Sequence, residues 1–241
     1  MRLIALVLAT VAALPAQTRQ VSLTQLLPNT LEDQKQIWTF PARLNHKRNW
    51  IPTAAVLAAA AGFVALDPVE GRYFHRTTTF NSFNNAFSSN ATTAGIIALP
   101  AALYGTGLIR KDSKMQQTAL FAGEAVANAE ILTTVLKDAT KRARPSAVQP
   151  GGNYSDTWFE SKGSVLNANG GFPSGHTIAA FSVATIVARR YGDHRWVPYA
   201  SYGLAAAVGF SRLTLSAHFT SDVFMGAALG YSISRFAVLH Q

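Results

Sequence analysis

The chain has 241 residues, no cysteine, and 21 lysine and arginine residues against 12 aspartate and glutamate residues, which gives a net charge of +9. The lack of cysteine excludes a disulfide scaffold, a cysteine-ligated zinc site, a thiol nucleophile and a lipoprotein anchor. A hydrophobic share of 49% with only 14% charged residues excludes intrinsic disorder. The length suits one domain or at most two small ones, and the positive charge indicates an anionic partner such as phosphate, anionic lipid or nucleic acid.

Residues 1–16 have the pattern of a secretory signal peptide. Arg2 supplies a positive start, an apolar run over 3–14 is too short to span a membrane, and Ala13 or Ala16 offers a small residue for cleavage. An uncleaved N-terminal anchor is the alternative. We therefore expect an exported protein with a polar lead-in over 17–48 and one helical domain over 49–241.

Apolar residues at helical spacing predict six or seven helices, and the alternation typical of strands never persists. The predicted segments are 51–66, a short amphipathic helix around Phe80, Phe83 and Phe87, then 92–109, 115–137, 177–188, 197–210 and 223–239. Asp67 and Pro68 are expected to close the first segment. A loop over 146–172, rich in glycine, serine and asparagine, is long enough to be functional. The predicted fold is an all-α helical bundle.

The first candidate cluster closes the helix predicted over 115–137. Its sequence is Lys137-Asp138-Ala139-Thr140-Lys141-Arg142-Ala143-Arg144-Pro145. Lys137 and Arg144 are seven residues apart, so on a helix they share a face and could clamp an oxyanion. A solvated helix end, whose cations complement the helix dipole, is the alternative.

The second cluster, Pro173-Ser174-Gly175-His176, opens an apolar helix. Ser174 is a natural N-cap, and the unpaired amides of a helix start bind anions. Gly175 would let an anion approach the backbone, and His176 would lie beside it. An ordinary cap with an incidental histidine is the alternative.

The third cluster combines Arg212 with His218 and Asp222. The histidine and the aspartate are four residues apart, so on a helix Asp222 could accept one imidazole proton and leave the other nitrogen as a lone pair. By itself this cluster also fits a simple helix pair. Taken together, the three clusters predict a site at the helix ends where cations, amides and two histidines hold a tetrahedral oxyanion, as phosphoryl transfer requires.

These motifs, in this order, resemble the signature of the type 2 phosphatidic acid phosphatases, a superfamily that includes bacterial acid phosphatases and vanadium-dependent haloperoxidases. The resemblance spans 137–222. It implies that His218 is the nucleophile, that Asp222 orients it, and that His176 protonates the leaving alcohol. The remaining implied roles are phosphate binding by Lys137, Arg144, Arg212, Ser174 and Gly175. It also implies that the reaction needs no metal and no cofactor.

The expected function is therefore metal-independent hydrolysis of phosphomonoesters or lipid phosphates through a phosphohistidine, with no nucleic-acid partner. Two alternatives stay open: a vanadium-dependent haloperoxidase with the same anion site, and a non-enzymatic protein that binds anions or anionic lipid. The substrate is not defined by any motif, and a lipid phosphate is one candidate.

The apolar runs also bear on location. They hold 16 residues over 51–66 and 18 over 92–109, whereas a spanning helix needs about 20. We therefore expect a protein that is periplasmic or attached to the outer face of the inner membrane. An integral membrane protein is the alternative.

Overall fold

The computed structural model describes residues 21–44, 47–149, 151–161 and 169–239. Within these residues it contains eight α-helices and no β-strand, so the predicted all-α fold is confirmed. The helices are α1 (Leu26–Thr39), α2 (Lys47–Arg76), α3 (Asn81–Ala86), α4 (Ser89–Ile109), α5 (Ser113–Thr140), α6 (Gly175–Arg190), α7 (Trp196–Thr214) and α8 (Thr220–Ser232), and a π-helical turn (Ile233–Val238) follows α8. The predicted signal peptide over 1–16 lies outside the described residues.

The helix α6 forms the centre of the bundle. It contacts α4, α5, α7 and α8, and its buried residues are mostly alanine, valine and isoleucine, with threonine and serine among them. The main core joins α5, α6 and the π-helical turn, through buried residues such as Phe121, Ile178 and Val238. This central position holds the first turn of α6 firmly against its neighbours.

The prediction that Asp67 and Pro68 end the first long helix is wrong, because α2 continues without interruption to Arg76. The reason is a set of tertiary contacts that a local pattern does not contain. Asp67 is buried and accepts the backbone amide of Ser221 at 3.1 Å, and Glu70 accepts the amide of Thr220 at 2.7 Å. These contacts with the start of α8 need a helical backbone through Pro68.

The region expected as a polar lead-in contains the helix α1, which packs on α5. Its buried side is polar: Gln34 donates to the side-chain oxygen of Asn128 at 2.8 Å, and Asn128 donates to Asp33 at 2.8 Å. Its apolar residues Leu27 and Leu31 are exposed, so α1 reverses the pattern of an apolar buried face by which the other helices were predicted.

The helices that carry the site have well-defined ends. Asp112 caps α5 by accepting the amide of Met115 at 3.0 Å, and Ser88 caps α4 by accepting the amide of Ala91. Lys141, with a φ of 41°, adopts the left-handed conformation that terminates α5. This termination leaves Lys137 in the last turn of that helix.

The structure also corrects the helix lengths used to judge membrane spanning. Among the described residues, three segments are long and apolar enough to cross a membrane by length and composition: 28 residues over Asn49–Arg76, 21 over Ser89–Ile109 and 35 over Ser113–Ala147. Each helix extends beyond the apolar run that predicted it, so the lengths of the apolar runs underestimated the lengths of the helices. In the first segment, the most apolar 18-residue stretch has no buried residue. As far as the structure describes the chain, the bundle therefore leaves this apolar stretch of α2 without a buried side chain.

Candidate active site

The three predicted clusters meet at one end of the bundle. Lys137 lies in the last turn of α5, and His176 lies in the first turn of α6. A β-carbon built on Gly175 would lie 3.7 Å from the Lys137 ammonium nitrogen. Ser174, just before α6, donates its amide to the backbone carbonyl of Asp222 at 3.1 Å. The end of α5, the start of α6 and the start of α8 thus form one site.

Of the two site histidines, His218 is more deeply buried than His176, with 3% of its surface exposed. Its Nδ1 lies 2.6 Å from the carbonyl oxygen of Gly171. Because a carbonyl only accepts, Nδ1 carries the proton and Nε2 keeps a lone pair in the neutral ring. Burial is the largest influence on the pKa of His218 and lowers it. Asp222 raises this pKa, and Lys137 and Arg144 lower it further, each by less than burial does. The ring is therefore neutral near pH 7, with a lone pair on Nε2.

Asp222 has a different arrangement from the one that its spacing suggested. Its Oδ2 accepts the backbone amide of Phe219 at 2.8 Å and lies 3.7 Å from Nδ1 of His218. Its Oδ1 accepts from Arg142 at 2.6 Å. The imidazole hydrogen bond goes to Gly171 instead, because Asp222 uses Oδ2 to cap the first turn of its own helix. Asp222 thus acts on His218 through its charge at close range.

Within the part of the chain that the structure describes, no side chain caps the N-terminus of α6. Ser174 occupies the N-cap position, but its hydroxyl pairs with the hydroxyl of Thr177 at 2.8 Å and does not bond a backbone amide. Ser174 and Gly175 are both buried. The positive end of the helix is therefore available for an anion.

Lys137 and Arg144 supply positive charge with little competition from the protein. Lys137 is 8% exposed. The Nε of Arg144 is buried and has no hydrogen-bond partner among the described residues. A buried guanidinium donor without a partner is costly, and an oxyanion would satisfy it.

Arg212 is fully buried but is already bonded to the protein. Its guanidinium donates to the carbonyl of Phe87 at 2.5 Å, the hydroxyl of Thr92 at 2.9 Å and the hydroxyl of Ser89 at 3.0 Å. These groups lie just before and in the first turn of α4. Arg212 thus contributes charge to the site while it ties α7 to α4.

His176 also contacts the start of α4. Its Nε2 lies 3.0 Å from the hydroxyl of Thr93 and 3.3 Å from the carbonyl of Ser89. Both of these contacts with α4 are made by Nε2 and not by Nδ1. Burial, followed by the charge of Arg212, lowers the pKa of His176 to about 4. The free site therefore holds a neutral His176.

A family model described as the PAP2 superfamily matches residues 118–241, which include every residue of the three clusters. The chain belongs to the PAP2 superfamily. This confirms the resemblance seen in the sequence and supports the prediction of an enzyme of the phosphoric ester hydrolase class.

Two further comparisons place this PAP2 chain among known proteins. It is 35% identical over 102 residues to a lipid A 1-phosphatase of Porphyromonas gingivalis, a match that covers 42% of this chain. The matched part is about a fifth, 22%, of that protein's length. A crystal structure of a transmembrane PAP2 type phosphatidylglycerolphosphate phosphatase from Bacillus subtilis aligns with a TM-score of 0.42 at 20% identity, over 88% of this chain and 91% of that one.

The PAP2 site contains residues that the sequence reasoning missed. Ser89, Thr92 and Thr93 precede the region matched by the family model, yet they hold Arg212 and His176. The usable signal was the four-residue spacing of Ser89 and Thr93, which puts two hydroxyls on one face of an otherwise apolar helix. Only the packing of α4 against α6 and α7 reveals their partners.

Proposed function

We propose that the chain is a membrane-embedded, metal-independent phosphatase that hydrolyses lipid phosphates through a phosphohistidine on His218. The observation that carries the proposal is the hydrogen bond from Nδ1 of His218 to Gly171, because it leaves Nε2 as the lone-pair nitrogen. The charges of Lys137 and Arg144 act on the same ring. A neutral nucleophile beside cations is what attack on a phosphate ester requires.

In the first half of the reaction, Nε2 of His218 attacks phosphorus opposite the leaving oxygen. The N–P bond forms, the P–O bond to the alcohol breaks, and His176 gives its proton to the departing oxygen. Lys137, Arg144 and the amides of the first turn of α6 stabilise the charge on the other phosphoryl oxygens. Asp222 stabilises the positive charge that develops on the imidazole.

In the second half, the same groups act in reverse. His176, now neutral, takes a proton from water as the water oxygen attacks phosphorus. The N–P bond breaks, inorganic phosphate forms, and the electron pair returns to Nε2 of His218. The site is then ready for another substrate.

The low pKa of His176 fits a role as an acid that is charged by substrate binding. Burial, and after it the positive charges near the ring, chiefly that of Arg212, hold its pKa at about 4 in the empty site. A bound phosphate dianion offsets these charges and raises the pKa of His176. The histidine thus gains its proton when a substrate is present to receive it.

An apolar groove beside the site supports a lipid substrate. It has a volume of about 460 Å³ and lies between α4, α6 and α7, lined mostly by alanine, glycine and branched aliphatic side chains. One end reaches Phe87 and Thr92, which bond Arg212, and the other reaches Leu99. Seven residues of helix correspond to about 10 Å, enough for part of a hydrocarbon chain. We infer that the chain of a lipid occupies this groove while its phosphate lies among the cations.

Two further observations favour a lipid and a membrane location. The helix α4, which forms one wall of the groove, is itself a candidate span, and the apolar stretch of α2 has no buried side chain among the residues described. The P. gingivalis relative is named for a lipid phosphate substrate. We therefore propose an integral membrane protein whose site opens on the outer face of the inner membrane. Release of the protein by salt or alkaline washing, without detergent, would contradict the integral location.

The function is tested with the purified protein in detergent, by release of inorganic phosphate from a long-chain phosphatidic acid. Wild type should turn over in the presence of a chelator, and vanadate should inhibit competitively because it resembles the five-coordinate transition state. Protein denatured with detergent at alkaline pH, where the acid-labile N–P bond survives, should carry phosphate on His218. The matched control is His194→Ala, since His194 is an exposed histidine in the loop between α6 and α7.

The outcomes separate the candidate functions. Loss of phosphoenzyme and turnover in His218→Ala but not in His194→Ala supports the proposal. Turnover that disappears with chelator and returns with a divalent metal contradicts it. Bromide oxidation with added vanadate and peroxide, without phosphate release, would favour the haloperoxidase. Anion binding without either reaction would favour a binding protein.

A further inference from the structure

We propose that Asp67 and Arg142 are positioning residues that form a buried charge chain, Asp67–Arg142–Asp222, and through Asp222 control the nucleophile His218. The inference rests on the proposed function of His218. It assigns a part in the reaction to Asp67, a residue of α2 that lies outside the region matched by the family model.

Arg142 is a buried structural centre and not a solvated cation. Its side chain is 1% exposed, and its two terminal nitrogens lie 2.6 Å from Oδ2 of Asp67 and 2.6 Å from Oδ1 of Asp222. Its guanidinium lies over the rings of Trp158 and Phe219, at 4.4 and 4.3 Å from the ring centroids. Both terminal nitrogens thus bond carboxylates of the protein, so the role of Arg142 in the site is indirect.

Two further N–H groups of Arg142 are also used within the protein. It donates to the hydroxyl of Ser221 at 2.6 Å and to the hydroxyl of Thr157 at 3.3 Å. Ser221 in turn donates its hydroxyl and its amide to Asp67, at 2.5 and 3.1 Å. These bonds fix the residue next to Asp222 to α2, so the chain controls where the carboxylate lies relative to His218.

The charges in this chain explain how it acts on the reaction. One buried guanidinium is shared by two buried carboxylates, so Arg142 neutralises Asp222 only in part. The negative charge that remains on Asp222 lies 3.7 Å from Nδ1 of His218. This charge stabilises the imidazole as it becomes positive during attack on phosphorus. Without the carboxylate of Asp67, Arg142 would neutralise Asp222 more completely, and attack would slow.

Four other charged or titratable groups near His218 also influence its titration. Asp222 lies on its own segment, Lys137 approaches from α5, Arg144 from the loop after α5, and His176 from α6. None of these is changed by a substitution at Asp67. A shift in the titration of His218 then reports a change passed on through Arg142, Ser221 and Asp222.

The test compares Asp67→Asn, which removes the charge and keeps the shape, with Glu70→Gln. Glu70 also lies on α2 and caps the first turn of α8 by accepting from Thr220, but it has no contact with Arg142 among the described residues. We expect Asp67→Asn to lower kcat about 10-fold with KM and vanadate affinity within twofold of wild type. Glu70→Gln should leave kcat within twofold. Asp67→Glu, which restores the charge, should recover most of the loss.

A second readout does not depend on turnover. Imidazole NMR of the ¹⁵N-histidine-labelled protein should show His218 titrating at lower pH in Asp67→Asn than in wild type. An unchanged titration and kcat in a folded Asp67→Asn would overturn the inference, and so would a parallel loss of kcat and vanadate binding. If Asp67→Asn does not fold, Asp67→Glu and Asp67→Gln give the same comparison at equal shape. A wild type without phosphatase activity contradicts the proposed function, while the titration still decides the charge chain.

Discussion

The apolar groove gives the sharpest prediction, because one glycine on its wall can be enlarged without a clash. Gly95 lines the groove from α4, and a β-carbon built on it meets no atom within 4 Å. Gly95→Leu should therefore place a side chain in the groove and leave the bundle intact. The matched control is Gly105→Leu: Gly105 lies on the same helix with nothing within 4 Å of its β-carbon, but it does not line the groove.

The size of the effect follows from the hydrocarbon that the leucine displaces. A leucine side chain adds four carbons, so it excludes on the order of three methylene groups of a bound chain, each worth about 0.8 kcal/mol. The lost binding is then about 2.4 kcal/mol. This corresponds to a decrease of roughly 60-fold in kcat/KM for a long-chain lipid phosphate.

The assay compares two substrates on the same protein preparations. Phosphate release from dioleoyl phosphatidic acid in detergent micelles should fall in Gly95→Leu and stay unchanged in Gly105→Leu. With p-nitrophenyl phosphate, which has no hydrocarbon chain, both variants should match wild type. Equal activity of the two variants on the lipid would refute the groove as the chain site. An equal loss on both substrates would show that Gly95→Leu damages the phosphate site itself.

Three other predictions concern the phosphate site. Gly170→Ala should lower the free energy of unfolding by about 1–3 kcal/mol and weaken vanadate binding, because the added β-carbon would lie 2.9 Å from the backbone oxygen of Lys137. The control Gly203→Ala, on α7, meets no described atom within 4 Å and should leave the free energy of unfolding unchanged. Thr93→Val removes a hydroxyl 3.0 Å from Nε2 of His176, and it should lower kcat for alkyl phosphates about 3- to 10-fold and less for p-nitrophenyl phosphate, whose leaving group needs no proton. Sulfate is a dianion that does not titrate in this range, and its binding should raise the pKa of His176 from about 4. Calorimetry at about pH 6 should therefore show proton uptake on sulfate binding, and the affinity for sulfate should weaken as pH rises. Proton uptake that persists in His176→Ala would contradict this prediction.

The sequence alone determined the features that depend on local pattern. Helical spacing of apolar residues was sufficient for the all-α fold, since the period of 3.6 is set by the backbone. The motifs ending in Arg144, His176 and Asp222 were sufficient for the family, because a site built at helix ends leaves its residues at fixed short spacings. These features are properties of segments, and a segment can be read in isolation.

Only the tertiary structure decided the partners of those residues. Three features depend on contacts between groups that are about 50 to 150 positions apart in the sequence. They are the continuation of α2 through Asp67, the bond from His218 to the carbonyl of Gly171, and the burial of Arg142 between two carboxylates. A donor and an acceptor at such separations pair only when packing brings the helices together, and burial then makes the pairing obligatory. The spacing of His218 and Asp222 put them on one face. The fold of the surrounding helices determined which neighbour takes the imidazole proton.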